Sequence, residues 1–309
     1  MADNTQMTQA TTQAVKKEST LAENILKRIE EFQMSGSIDI PENYSPANAL
    51  RSAWLILQDT VNKDKLPVLT TCTKESIANA LLKMVVLGLN PAKKQCYFIP
   101  YGKNLSCDSS YFGEMATAKR VHGNIPDDGF SYSVVYQGDD FEYERKRGKV
   151  RVIKHGQKLE NVNKANVLAA YCEIYDGNDK LINSELMTFD EIKQAWRQSK
   201  MSPVSENGNV GQGGTHGKFT ADMCLKTAIR KACKPIINSS DDKNLRLLKK
   251  IIPSRAAIEA QAEIDERANQ GPPIGFTTAE IVPDGVDKEA GEVKELAPAE
   301  AENLDNIYG

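Results

Sequence analysis

Three groups of residues in this 309-residue chain have the types and spacing to act on phosphates. The first is the glycine-rich run GQGGTHGK, from Gly211 to Lys218. A nucleotide-hydrolysing P-loop needs G-x-x-x-x-G-K-[ST]: the first glycine makes the turn, the lysine reaches the β- and γ-phosphates, and the hydroxyl holds Mg²⁺. Counting back from Gly217-Lys218, Gln212 occupies the first glycine's place and Phe219 the hydroxyl's. The segment before it, Lys200 to Val210, is polar where a P-loop follows a buried strand. Nucleotide hydrolysis is therefore not expected, and the glycines are read as a flexible loop.

The second group is Pro126-Asp127 followed by Glu144-Arg145-Lys146. It fits the P-D…(D/E)-x-K signature of metal-dependent nucleases, in which Asp127 and Glu144 would hold Mg²⁺ and Lys146 would support the attacking water. The signature is short, and Asp127 with its acidic neighbours suits turns equally well, so it stands as an alternative reading. The three histidines are scattered and nominate no Ser-His-Asp or Cys-His pair. The six cysteines form no C-x-x-C and lie at no zinc-ligand spacing from a histidine, which reads as reduced, buried thiols. Neither a metal nor any other cofactor is implied.

The third group is cationic. Drawn as a helix, Ala221, Leu225, Ala228, Ile229 and Ala232 fall within an arc of about 100°, while Lys226, Arg230, Lys231 and Lys234 cover a separate arc of about 140°. One face packs and the other meets anions. A second cluster, Arg145, Lys146, Arg147, Lys149, Arg151, Lys154 and Lys158, surrounds a hairpin turn at Gly148. Lys93-Lys94, Lys103 and Lys119-Arg120 stand near Tyr97, Tyr101, Tyr111 and Phe112. Basic groups interleaved with rings suit a single nucleic-acid strand, whose phosphates need countercharge and whose bases stack. Burial in a strand is expected for Tyr97 and Phe98, while Tyr101, Tyr111 and Phe112 stay open between packing and stacking.

The elements that position these groups follow from periodicity. Helical spacing is expected over residues 21–32, 46–61 and 73–87; in the last, Ile77, Ala80, Leu81, Met84 and Val85 line one face, Thr73 caps, and Gly88 with Pro91 stops it. QCYFIPY and LSCDS read as strands joined across Gly102-Lys103-Asn104, followed by a helix from Ser109 to His122. FSYSVVY, DFEYER, KVRVIK, VLAAYCEIY and KLINSELM read as antiparallel strands. Helices are expected again over 189–199, 218–233, 241–251 and 254–268. The expected fold is α+β: a small antiparallel sheet and hairpins packed with helices.

Charge divides the chain. Residues 1–76 carry 8 basic and 10 acidic side chains, 77–252 carry 27 and 19, and 253–309 carry 4 and 13. A sequence pI of about 5.8 thus conceals a basic middle, the mark of a polyanion partner for one part only. The expected organisation is a disordered arm over 1–19, a helical region over 20–76 with possible subunit contacts, a nucleic-acid-binding core over 77–252, and a short helix then a disordered acidic tail over 253–309. That tail suits DNA mimicry, partner docking or solubility alike. The polar N-terminus lacks the apolar stretch of a signal peptide, and no run reaches the ~18 apolar residues of a membrane span, so a cytoplasmic protein without membrane contact is expected.

The order IANALLKMVVLGLNP, QCYFIPYGKNL, SSYFGEMATAKRVHGNI, VVYQGDDFEYE and FTADMCLKTAIRKACK, from about Ile77 to Pro235, resembles the RecT family of phage and prophage single-strand annealing proteins. The resemblance implies a non-enzymatic, ATP-independent recombination protein that coats single-stranded DNA as a homo-oligomeric ring or helical filament and pairs it with the complementary strand. It implies a groove formed by Tyr111, Lys119 and Arg120 of one helix and Lys226, Thr227, Arg230 and Lys231 of another, with Tyr101 and Lys103 from the hairpin. A phage exonuclease and the host single-strand-binding protein are the implied protein partners. Phe112 departs from the basic residue common at its place, HGKF offers Phe219 as the only ring entering the last helix, and Cys233-Lys234-Pro235 replaces a longer apolar ending. A role in DNA contact for Arg145, Arg147, Lys149 and Arg151 rests on this sequence alone. Besides the nuclease, a passive coat that protects single strands without pairing them is the remaining alternative.

Overall fold

A computed structural model of the chain describes residues 23–198, 203–253, 257–258 and 260–263. The expected N-terminal arm and the acidic tail lie outside these residues. The helices in chain order are α1 (residues 23–34), α2 (Pro46–Asp59), α3 (Val68–Thr71), α4 (Lys74–Val86), α5 (Tyr111–His122), α6 (Phe189–Arg197), α7 (Thr215–Lys218), α8 (Thr220–Asn238) and α9 (Lys243–Ile251). The strands are β1 (Cys96–Tyr101), β2 (Asn104–Ser109), β3 (Phe130–Tyr136), β4 (Asp140–Lys146), β5 (Lys149–Gly156), β6 (Val167–Tyr175) and β7 (Leu181–Thr188). The fold is α+β with small antiparallel sheets, as expected.

Two cores hold it together. The first joins α1, α2, α4, the β1–β2 hairpin and α9 through Ile29, Leu57, Leu81, Met84, Val85, Phe98 and Leu248. Helix α4 forms where its spacing predicts: the Thr73 hydroxyl accepts from the Ser76 N–H at 3.2 Å, and Gly88 takes φ +66° beyond its end. Asn244 ties α9 to this core. Its side chain is fully buried, its Oδ1 accepts from Asp39 N–H at 2.8 Å, and its Nδ2 donates to the Asp39 and Val86 carbonyls at 2.8 and 2.9 Å.

The second core is built on a sheet in the order β3-β6-β7. Alternation gives the sheet two faces. Ala170, Cys172 and Ile174 of β6 pack with Cys224, Ala228, Ile229 and Ala232 of α8, while Ala118 of α5 and Trp196 of α6 complete the cluster. The other face carries the β4–β5 hairpin: Val150 N–H donates to the Ser184 hydroxyl at 2.7 Å, and Val152 N–H to the Glu173 carboxylate at 2.9 Å. Helix α8 and the basic hairpin therefore lie on opposite sides of one sheet.

Two boundaries differ from the sequence reading. Helix α8 begins at Thr220 and runs through Pro235 to Asn238, whereas the expected helix spans 218–233. Pro235 is exposed, so the carbonyl it leaves without a helical donor, on exposed Lys231, can take water, while Ile236 and Ile237 pack on the second core. The glycine-rich segment is folded rather than a loose loop: Val204 bridges Val210, and residues 215–218 form one helical turn. A Cβ on Gly217 would lie 2.3 Å from the Gly211 carbonyl, so that turn closes only around glycine.

Candidate nucleic-acid interface

Helix α5 is seated by its first turn. The Ser110 hydroxyl accepts from Gly113 N–H at 3.2 Å and donates to the Lys94 carbonyl at 2.6 Å. A Cβ at residue 113 would stand 2.0 Å from the Gln95 carbonyl, which explains the glycine two places after Tyr111. This close approach fixes Tyr111 and Phe112 at the head of the helix, with ring centroids 4.0 Å apart. Phe112 is 41% exposed.

Helix α8 runs beside α5 and places a cationic row next to those rings. Lys226 Nζ lies 5.9 Å from the centre of the Tyr111 ring. One turn on, Arg230 donates from Nε to Glu114 at 2.9 Å and from a terminal nitrogen to the Ser109 carbonyl at 3.1 Å. Lys234, a further turn along, is exposed. Tyr132 of β3 and Tyr97 of β1 are 40% and 51% exposed and close enough to act electrostatically on Tyr111. Burial, then Tyr132, Asp222 and Tyr97, push the Tyr111 hydroxyl up, so it stays neutral at physiological pH. The surface thus combines Lys226, Arg230 and Lys234 with Tyr97, Tyr111, Phe112 and Tyr132. Tyr97 corrects the expectation of burial: alternation in β1 turns Cys96 and Phe98 into the core and Tyr97 out.

The four nominated residues of α8 face two ways. Lys226 and Arg230 face α5, whereas Thr227 and Lys231 face α6 and β7. The Thr227 hydroxyl accepts from Trp196 Nε1 at 2.9 Å and donates to the Met223 carbonyl at 2.8 Å. Lys231 Nζ lies 3.6 Å from Glu185. On α5, Lys119 pairs with Asp127 at 2.8 Å, and Arg120 pairs with Asp242 at 2.7 Å, both side chains largely buried. Asp242 is also the N-cap of α9, so Arg120 links α5 to that helix. Most of the nominated cations on α5 and α8 therefore rest against a carboxylate of the same chain.

Tyr101 and Lys103 sit at the tip of the first hairpin. Tyr101 Oη donates to Asp108 at 3.3 Å, and Lys103 is exposed. Arg145, Arg147 and Arg151 are exposed on the second hairpin, with Lys149 half-buried and donating to the Leu181 carbonyl at 3.4 Å. Arg147 and Gly148 take φ +53° and +78°, the signature of a two-residue type I′ turn between Lys146 and Lys149. The base of this hairpin is fastened by Asp139, whose carboxylate accepts from Tyr136 N–H, Gln157 and Asn161 at 2.9 to 3.0 Å and meets His155 Nε2 at 3.2 Å. Burial alone would raise Asp139, but these hydrogen bonds outweigh it and bring the carboxyl down to about 2.

The residues of the nuclease reading are not gathered. Asp127 precedes β3 and pairs with Lys119, while Glu144 lies across the ladder from Arg151 in the second hairpin. Among the described residues, no group of three or more His, Cys, Asp or Glu is placed to hold a metal ion, and no helix is long and apolar enough to cross a membrane.

Sequence alternation marks Tyr97, between core-facing Cys96 and Phe98, as an outward ring, whereas Tyr132 shares its parity with buried Val134 and Tyr136 and alternation does not mark it. No sequence signal marks Glu114, whose partner is 116 residues away. A family model described as the RecT family matches residues 47–270, more than half of the chain. A comparison with curated proteins gives no match.

Proposed function

The chain belongs to the RecT family, and on that premise we propose that it binds single-stranded DNA and anneals it to a complementary strand without ATP, as an oligomer in phage-type recombination. The observation that carries this reading is the Lys226–Arg230–Lys234 row set beside the rings of Tyr97, Tyr111, Phe112 and Tyr132. Cations spaced along a helix follow a phosphate backbone, and exposed rings offer stacking surfaces that any base satisfies. Lys119 of α5, paired with Asp127 and near the Phe130 ring, and Lys103 with Tyr101 at the first hairpin are further contacts on this reading. Arg145, Arg147, Lys149 and Arg151 form a second cationic surface across the sheet, suited to phosphates outside this groove.

Annealing is downhill once strands meet, so no fuel is required. What slows it is repulsion between phosphates and the search for register. A groove that neutralises one backbone while leaving its bases ordered and accessible lowers both barriers. Arg120 and Thr227 contribute by holding α9 and α6 in place around the groove.

Stopped-flow pairing of two labelled complementary oligonucleotides, without nucleotide cofactor, tests the proposal. Pairing well above the spontaneous rate supports it. Tight binding with no acceleration would instead identify a passive coat, and Mg²⁺-dependent cleavage would return the nuclease reading. Electron micrographs with and without DNA would report the ring or filament.

A further inference from the structure

We infer that Glu114 is a positioning residue that holds Arg230 in place of DNA, so that seating a phosphate on Arg230 displaces the carboxylate and favours its protonation. This rests on the single-strand binding proposed above. Three observations support it. Arg230 sits beside the first turn of α5, and its guanidinium is bound at both ends, to Glu114 through Nε and to the Ser109 carbonyl through a terminal nitrogen. Glu114 spends one oxygen on this bond, while its other oxygen, Oε2, is buried and accepts no hydrogen bond. The Glu114 side chain is 16% exposed and that of Arg230 48%, so the guanidinium can turn to solvent and the carboxylate cannot follow.

An ionised, half-satisfied carboxylate at the edge of a cationic groove is held there by the cations around it. Among the described residues, Arg230, Lys234 and Cys233 of α8 are charged or titratable groups that interact electrostatically with Glu114. Burial pushes the Glu114 carboxyl above its usual range, although Arg230 and Lys234 pull it down. A phosphate arriving on Arg230 takes away the larger of those two cationic supports and adds a negative charge nearby. Both changes favour the protonated acid, which has no charge to repel the strand. Binding should therefore take up a proton at this site, and affinity should fall as pH rises through the range where Glu114 ionises.

The test is fluorescence anisotropy of a labelled oligothymidine with the full chain, with Glu114→Gln, with Arg230→Gln and with the double variant, from about pH 5 to about pH 8. Glu114→Gln should bind about 3- to 10-fold tighter than the native chain at neutral pH, since it removes one competing ion pair and one repelling charge. That advantage should vanish at the acid end, and in the Arg230→Gln background the same substitution should have little effect. His216, which lies near Lys226, titrates in every variant and cancels in the comparison. The Arg230→Gln profile alone, compared with the native one, repeats the test without altering Glu114. Equal or weaker binding by Glu114→Gln, or an equal gain without Arg230, overturns the inference while leaving the proposed function standing. A native chain that does not bind the oligonucleotide overturns both.

Discussion

Neutralising both Lys226 and Arg230, as Lys226→Gln/Arg230→Gln, should weaken single-strand binding in a way that salt reveals. The two residues stand one helical turn apart in a row, one against the Tyr111 ring and the other half exposed beside α5. Each phosphate contact on a single strand contributes ~0.7 to the slope of log K against log[salt], so about five contacts per subunit give a slope near −3.5 and removing two brings it to about −2. At ~0.1 M salt, relative to ~1 M, each lost contact is worth ~0.7 of a decade, and two weaken binding about 25-fold. The Arg230 substitution also leaves Glu114 without its guanidinium, at a cost of about 1 kcal/mol for a pair with one partner half in water, which a circular-dichroism melt would register separately. The assay is anisotropy of a labelled oligonucleotide from ~50 to ~200 mM salt. Weaker binding with an unchanged slope would mean that these side chains shape the groove without touching phosphate, and the assignment of the row would be wrong.

Three further outcomes follow from contacts outside the row. Thr227→Val should lower stability by about 1 kcal/mol, because Trp196 Nε1 loses its acceptor, and should leave the salt slope unchanged; a reduced slope would put the hydroxyl on DNA instead. Asn244→Ala should cost about 3 kcal/mol in thermal or urea unfolding, since it strands the Asp39 N–H and the Val86 carbonyl inside the first core; a loss below about 1 kcal/mol would show that α9 is not a necessary strap. Asp139 titrates at about 2 in the folded chain, below the ~3.9 of an unfolded aspartate, so its stabilisation is complete above about pH 4 and is lost as pH falls toward 2. Asp139→Asn should therefore be less stable than the native chain at neutral pH and lose less on acidification across that interval, and parallel losses would refute the assignment.

What the sequence shows of this site and what it hides separate along physical lines. Local rules were sufficient wherever a residue's role depends on neighbours within a turn or two. Thr73 and Gly88 mark the ends of α4, Gly102 and Gly148 mark the hairpin tips, and the α8 apolar stripe packs where its period puts it. Alternation also turns Tyr97 outward, against the general preference of aromatic residues for burial. Continuation of α8 through Pro235 was hidden because the helix is sustained there by Ile236 and Ile237 against the second core, a tertiary term outweighing a local penalty. The pairings that define the groove's electrostatics are wholly non-local: Arg230 with Glu114, Arg120 with Asp242, and Lys231 with Glu185. A basic helix face drawn from sequence carries its full charge, whereas in the folded chain much of that charge is already paired with carboxylates. On the proposed reading, DNA binding is then an exchange of partners, carboxylate for phosphate, and the carboxylates as well as the cations set its strength.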